Sequence, residues 1–205
     1  MSHPTLELLD YRRRVHTLYG EVRAQYDADP HAAHAHWRAV RDQLFGHHPQ
    51  SALAPIDGDF SGLNYYDYDP SYVVAATVDT DVPAERFDIA TSGESTMAFE
   101  RFGQVALPWG TLDVYWLESY GGGVFLPFRD ATAGDTTYGG GRYLLDTVKG
   151  ADLGSTPSGQ LVLDFNFAYH PSCHYNPQWS CPLAPPGNRL DARIEAGEQS
   201  YGAIQ

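Results

Sequence analysis

Apolar residues recur every three or four positions through the first quarter of the chain and then give way to short alternating runs. Leu8, Tyr11, Val15, Leu18, Val22 and Tyr26 build one stripe, which predicts a helix over 5–27. Asp27-Ala28-Asp29-Pro30 breaks and restarts the period. Asp29 offers a side-chain cap, and Pro30 suits the first helical position because its missing N–H has no helical partner to lose. Ala33, Trp37, Val40 and Leu44 then share a face, predicting a second helix over 31–45. The two form an N-terminal helical hairpin, residues 1–48, packed on the sheet of a second unit, residues 49–205.

Gly46-His47-His48-Pro49 ends the helical period, and the stretch to Ser71 is irregular. Strand-like runs follow: Tyr72–Val78, Gln104–Leu107, Val124–Phe128, Arg142–Leu145, Gln160–Tyr169 and Leu190–Ala196. Leu112, Val114 and Trp116 alternate with Thr111, Asp113 and Tyr115, the pattern of a half-buried strand, and Pro108-Trp109-Gly110 reads as the turn before it. Strands without intervening helices predict a mainly β fold, an antiparallel β-barrel or sandwich covered by the hairpin. In Gln160–Tyr169, Asp164 and Asn166 fall on one face, roughly 7 Å apart on an extended strand.

Composition narrows the functions. Of 205 residues, 26 are acidic and 13 basic, for a formal net charge of -13. That field repels phosphate, so neither nucleic acid nor an anionic membrane is expected as a partner. No run of about 18 apolar residues exists to span a bilayer. Met1–Asp10 lacks an apolar export segment, so a cytoplasmic location is expected. Two cysteines, Cys173 and Cys181, are too few for a disulfide framework.

Polar chemistry concentrates in two segments. In Leu126–Tyr143, Gly139, Gly140 and Gly141 free the backbone to turn its amides to one side, and Arg142 adds a fork of donors suited to an anion. The Walker spacing and the dinucleotide fingerprint are both absent. Arg142 paired to Asp130 or Asp164 as a structural ion pair is the competing reading. In Ala168–Pro182, His170, Cys173, His174 and Cys181 are donors suited to zinc or iron, but their spacing is no standard zinc pattern. A disulfide, free thiols, or a Cys173 activated by His174 are the other readings. His31, His34 and His36 read as a solvated helix surface. His47 and His48 read as a helix end, with a general base as the alternative. Gly93-Glu94-Ser95-Thr96-Met97 fails the serine-hydrolase elbow.

Two motifs together resemble a known family. Phe128-x-Asp130-x-Thr132-x-Gly134 leads to Thr137-Tyr138-Gly139-Gly140-Gly141-Arg142-Tyr143. Asp164-Phe165-Asn166-x-Ala168-Tyr169-x-Pro171-x-Cys173-x-Tyr175 is followed by Ser180-Cys181-Pro182, Pro185 and Asn188. They resemble a bacterial and archaeal domain-of-unknown-function family, number sixteen-eighty-four, over most of the chain from Ser51 onward. The resemblance implies no activity. The family pattern carries Asn and Ala where this chain has His170 and His174, so it does not imply a shared metal role for them. Cys173 and Cys181 do match, and some relatives look exported, which implies a disulfide as an ancestral state.

The expectation is a small-molecule-binding domain without a cofactor. Tyr138, Gly139, Gly140, Gly141, Arg142, Asn166 and Tyr169 would hold an anionic or polar ligand in one hollow. The alternatives are an enzyme using Asp130 or Asp164 as general base in that hollow, a metal or thiol site at His170–Cys181, and a buried ion-pair network with no ligand. The oligomeric state is open.

Overall fold

The helical period is obeyed where the helices meet a partner. Helix α1 spans Pro4–Tyr26 and α2 spans Pro30–His47. In α1, Leu18, Tyr19, Val22 and Tyr26 are buried, while Leu8 at the start of the stripe stays exposed. The Asp29 carboxylate accepts from the Ala32 amide at 2.9 Å with Pro30 in the first turn, as the sequence predicts. Asp29→Ala is expected to cost about 1 kcal/mol of unfolding free energy in urea titration, the usual value of such a cap.

The computed structural model describes residues 3–53, 60–118 and 120–202; part of the irregular stretch, 54–59, lies outside them. Eight strands follow the helices: β1 Val73–Ala76, β2 Val78–Asp79, β3 Glu85–Ala90, β4 Thr96–Leu107, β5 Gly110–Leu117, β6 Val124–Phe128, β7 Arg142–Asp146 and β8 Leu161–Asp164. All strand pairs are antiparallel. Six strands form one sheet, ordered β2-β4-β5-β6-β7, with β3 also paired to β4; β1 and β8 form a separate ribbon. The fold is thus mainly antiparallel β with an N-terminal helical pair, and the strands of the described residues do not close into a ring.

Both faces of the large sheet are covered. On one side Phe99, Tyr115, Phe125 and Tyr143 pack with Leu18, Val22, Ala33 and Trp37 of the helices. On the other, Val105, Leu112, Val114, Leu126 and Phe128 pack with Leu163 of β8 and Phe165 just after it, and with Leu190, Ile194 and Ala196 of the C-terminal segment. This corrects the half-buried reading of β5. Asp113 and Tyr115 are buried along with Leu112 and Val114, and Trp116, expected inside, is 43% exposed at the sheet's end.

Three further expectations change. The strand expected over Gln160–Tyr169 stops at Asp164, because the Asp164 carboxylate accepts from the Asn166 amide at 2.9 Å and bends the chain into a short 3-10 turn, Phe165–Phe167. Asp164 and Asn166 are therefore not alternating neighbours on a sheet face; they are bonded to each other, Asn166 Nδ2 to Asp164 Oδ1 at 2.7 Å. The strand expected over Leu190–Ala196 is irregular, its carbonyls taken by a side chain described below. Strand β3 and the first half of β4 escape the sequence reading: β3 is a solvated edge whose Glu85, Arg86 and Asp88 dilute the apolar signal of Phe87 and Ile89.

Candidate functional site

Arg142 opens β7 and is 1% exposed. Its Nη2 donates to Asp130 Oδ1 at 3.3 Å and to the Ile194 carbonyl at 2.9 Å, and its Nη1 donates to the Ala196 carbonyl. The guanidinium lies over the Phe128 ring, 5.0 Å from its centroid. Asp130 in turn accepts from the Thr132 hydroxyl at 2.9 Å and the Ile194 amide at 2.7 Å. Burial lowers the Arg142 pKa from its ordinary value, against the opposing pull of Asp130. Both Nη groups of this fork tie the C-terminal segment to the sheet.

The three glycines make a turn. Gly141 has φ 96° and donates its amide to the Tyr138 carbonyl at 3.0 Å. A Cβ there would meet the Phe128 carbonyl oxygen at 2.5 Å, so glycine is required by both conformation and space.

Asp164 and Asn166 belong to a different cluster. Asp164 accepts from Tyr26 at 2.7 Å and Tyr68 at 3.2 Å, besides the two Asn166 donors. Burial raises its pKa, and these hydrogen bonds oppose the rise. The Asn166 side chain braces Asp69, accepting from its amide and donating to its carbonyl, each at 2.9 Å. His34 Nε2 lies 3.0 Å from the Asn166 carbonyl. His34 is therefore a core residue, correcting its reading as solvated surface; His31 is exposed. No hydrogen bond or ion pair among the described residues joins Arg142 to Asp164. Tyr169, also expected at the ligand, is 9% exposed and points its hydroxyl at Asp146, 3.4 Å away.

The second polar segment borders real space. A cavity of about 470 Å³ is lined by Ser92, Tyr138, Cys173, His174, Tyr175 and Tyr201, with Pro177 and Gly202 at its edge. Tyr138 is brought there by the glycine turn, and Cys173 and His174 by a 3-10 turn over Ser172–His174. Behind this wall His170 Nε2 accepts from the Tyr138 amide at 3.1 Å, and His174 Nε2 accepts from the Tyr201 amide at 3.1 Å. Burial lowers the pKa of both imidazoles, His174 to about 4. Each is neutral at neutral pH and presents its Nε2 lone pair to a backbone N–H rather than to solvent. No cluster of three or more His, Cys, Asp or Glu suited to a metal occurs among the described residues.

Glu198, fully buried, holds the rear of the wall. It accepts from Arg41 at 2.9 Å, from the His170 amide at 2.8 Å and from the Tyr175 hydroxyl. Sequence reasoning misses Glu198, Tyr201 and Arg41: a carboxylate in Gly197-Glu198-Gln199-Ser200 reads as solvated tail, and its partner is 157 positions away.

The thiols are free. Cys181 is buried, and its amide donates at 3.1 Å to the hydroxyl of Ser92, which lines the cavity with the half-buried Cys173. The Cys181 thiol, followed by the Ser92 and Tyr138 hydroxyls, lowers the Cys173 pKa to about 6. The Cys181 pKa is pushed up, chiefly as the donor in the pair. Activation of Cys173 by His174 is thereby corrected: a neutral imidazole supplies no charge.

A two-faced antiparallel sheet carrying a tyrosine-walled thiol cavity is the class of protein these features define. The chain belongs to the family described as protein of unknown function (DUF1684), whose model matches residues 58–199. It is similar to an uncharacterized protein of Haloarcula marismortui solved by solution NMR, with 34% identity and a TM-score of 0.56, over 85% of this chain and 97% of that one. No curated protein matches it. Among the described residues, no helix is long and apolar enough to cross a membrane.

Proposed function

We propose that the chain binds a small, polar, uncharged ring-shaped molecule, sugar-like or aromatic, in the cavity beside Cys173. One observation carries this reading: three tyrosines, one imidazole and one thiol line the same space of about 470 Å³. Tyrosine faces stack on rings, and among the described residues no Arg or Lys lines this space to select an anion. Tyr138, Cys173 and Tyr175 all fall within the two motif stretches. The anion expected at Arg142 is not favoured, because that guanidinium already holds Asp130 and main-chain carbonyls. A general base at Asp130 or Asp164 is not favoured either, since both carboxylates are buried among protein donors.

Thermal-shift and calorimetric titration against neutral sugars and phenolic rings, with organic acids and sugar phosphates as contrast, tests the reading. A neutral ring compound is expected to stabilise the wild type, and Tyr201→Ala to abolish that shift while the unliganded protein stays folded. Binding confined to anions and lost in Arg142→Lys would overturn it, as would no stabilisation by any ring compound.

A further inference from the structure

We infer that Cys173 and Cys181 form a redox-active dithiol that exchanges with small disulfides reaching it through the cavity. The two sulfurs differ in the way such a pair requires. Cys173 is half-buried and lines the space of about 470 Å³. Cys181 is 5% exposed and is tied to the cavity wall through Ser92, whose hydroxyl accepts from the Cys181 amide at 3.1 Å and which lines the same space as Cys173. An incoming disulfide therefore meets Cys173 first, and only Cys173 can present itself to Cys181. The surroundings favour this order. Cys173 Sγ lies 3.8 Å from the Tyr138 hydroxyl, and the Ser92 hydroxyl is a further partner. These groups and the Cys181 thiol lower the Cys173 pKa and so favour its thiolate form. The ammonium of Lys149 opposes the rise of the Cys181 pKa.

The chemistry balances without any group beyond the disulfide. The Cys173 thiolate attacks one sulfur of RSSR, so a Cys173–SR bond forms, the S–S bond breaks, and RS⁻ leaves. Cys181 passes its proton to the departed RS⁻ and attacks Cys173 Sγ, breaking the Cys173–SR bond and expelling the second RS⁻. Two protein thiols are oxidised to one disulfide, and one small disulfide is reduced to two thiols. The loop closed by the new bond, residues 174–180, carries His174, Tyr175 and Pro177 of the cavity. Oxidation thus ties down one wall of the space where the polar ring is proposed to sit. The inference needs that cavity only as an access route, whichever molecule occupies it.

The test uses the full reduced chain with oxidised glutathione, quenched by an alkylating agent and read by intact mass. Wild type is expected to lose both alkylatable thiols and retain no glutathione. Cys181→Ser is expected to retain one glutathione at Cys173, and Cys173→Ser to react at least about tenfold more slowly, because its remaining thiol is buried and protonated. Circular dichroism checks that each variant is folded; if Cys181→Ser is not, Cys181→Ala takes its place. Alkylation of wild type against pH gives a second, variant-free readout, with a midpoint near 6 expected for Cys173 and about 8.5 for an ordinary thiol. Persistence of both thiols, a stable glutathione adduct on wild type, faster reaction at Cys181, or a midpoint near the ordinary value would overturn the inference. Ring binding is measured on reduced protein, so failure of the ligand screen leaves these outcomes unchanged, and failure here leaves the screen unchanged.

Discussion

Arg142→Ala is expected to lower the unfolding free energy by about 3–5 kcal/mol, the range for breaking a buried ion pair from one side. The loss has identified sources. Asp130 would keep the Thr132 hydroxyl and Ile194 amide but lose its counter-charge, and the carbonyls of Ile194 and Ala196 would lose their donor. For a chain of this size that corresponds to a fall in melting temperature of roughly 6–20 °C. Arg142→Lys retains charge but not the fork, so it is expected to fall between the two. Urea titration should show a lower midpoint for the alanine variant with an unchanged slope. A loss under about 1 kcal/mol would mean that the guanidinium is free for other duty, and the clamp would have to be given up.

Acid should weaken the fold earlier than its carboxylates alone require, because burial lowers the pKa of His170, of His174 and also of His34. His34 Nε2 faces a carbonyl, which only accepts, so Nε2 carries the hydrogen. Burial, reinforced by the charge of Arg38, lowers the His34 pKa from 6.5 to about 4. The unfolded chain therefore binds more protons between those values, and stability rises with pH across the window. The contribution is fully present above about 6.5 and is lost as pH falls toward about 4. At about 1.4 kcal/mol per pKa unit it amounts to about 3 kcal/mol. Asp164, whose pKa is raised, has the opposite sign: it favours the folded state less as pH rises above 3.8. His34→Gln keeps a donor for the Asn166 carbonyl and cannot titrate. It is expected to make the stability profile between pH 4 and 6.5 shallower by that amount, with His170 and His174 supplying the slope that remains; a profile as steep as wild type would remove His34 from the account.

Much of the scaffold could be read from pattern. Asp29 and Pro30 fix the start of α2, and Val124–Phe128 and Arg142–Leu145 are paired strands as their apolar runs suggest. Two of the failures share a cause: a side chain standing in for the backbone. Asp164 caps the turn that ends β8, and Arg142 takes the carbonyls that a strand at Leu190–Ala196 would have offered a neighbour. Asn188 does the same elsewhere. Its Nδ2 bonds the carbonyls of Asp113 and Pro127 at 2.9 and 2.8 Å, joining β5 to β6 beyond their two paired positions. Hydrophobic periodicity cannot report such substitutions, because the residues concerned are polar and distant in sequence. The same limit applies to the site. Tyr138, Cys173, His174 and Cys181 stood out by type and clustering, but the cavity is completed by Ser92 and Tyr201, which nothing local distinguishes.

The bond between Arg41 and Glu198 has a consequence for biosynthesis. The N-terminal helices leave the ribosome early, yet Trp37 and Arg41 meet their final neighbours only after most of the polypeptide has been made. Until Glu198 has been translated and threaded into place, Arg41 lacks its carboxylate and the Tyr175 hydroxyl lacks its acceptor. Pairing residues 157 positions apart is a slow step for a nascent chain, and its apolar faces depend on protection in the interval.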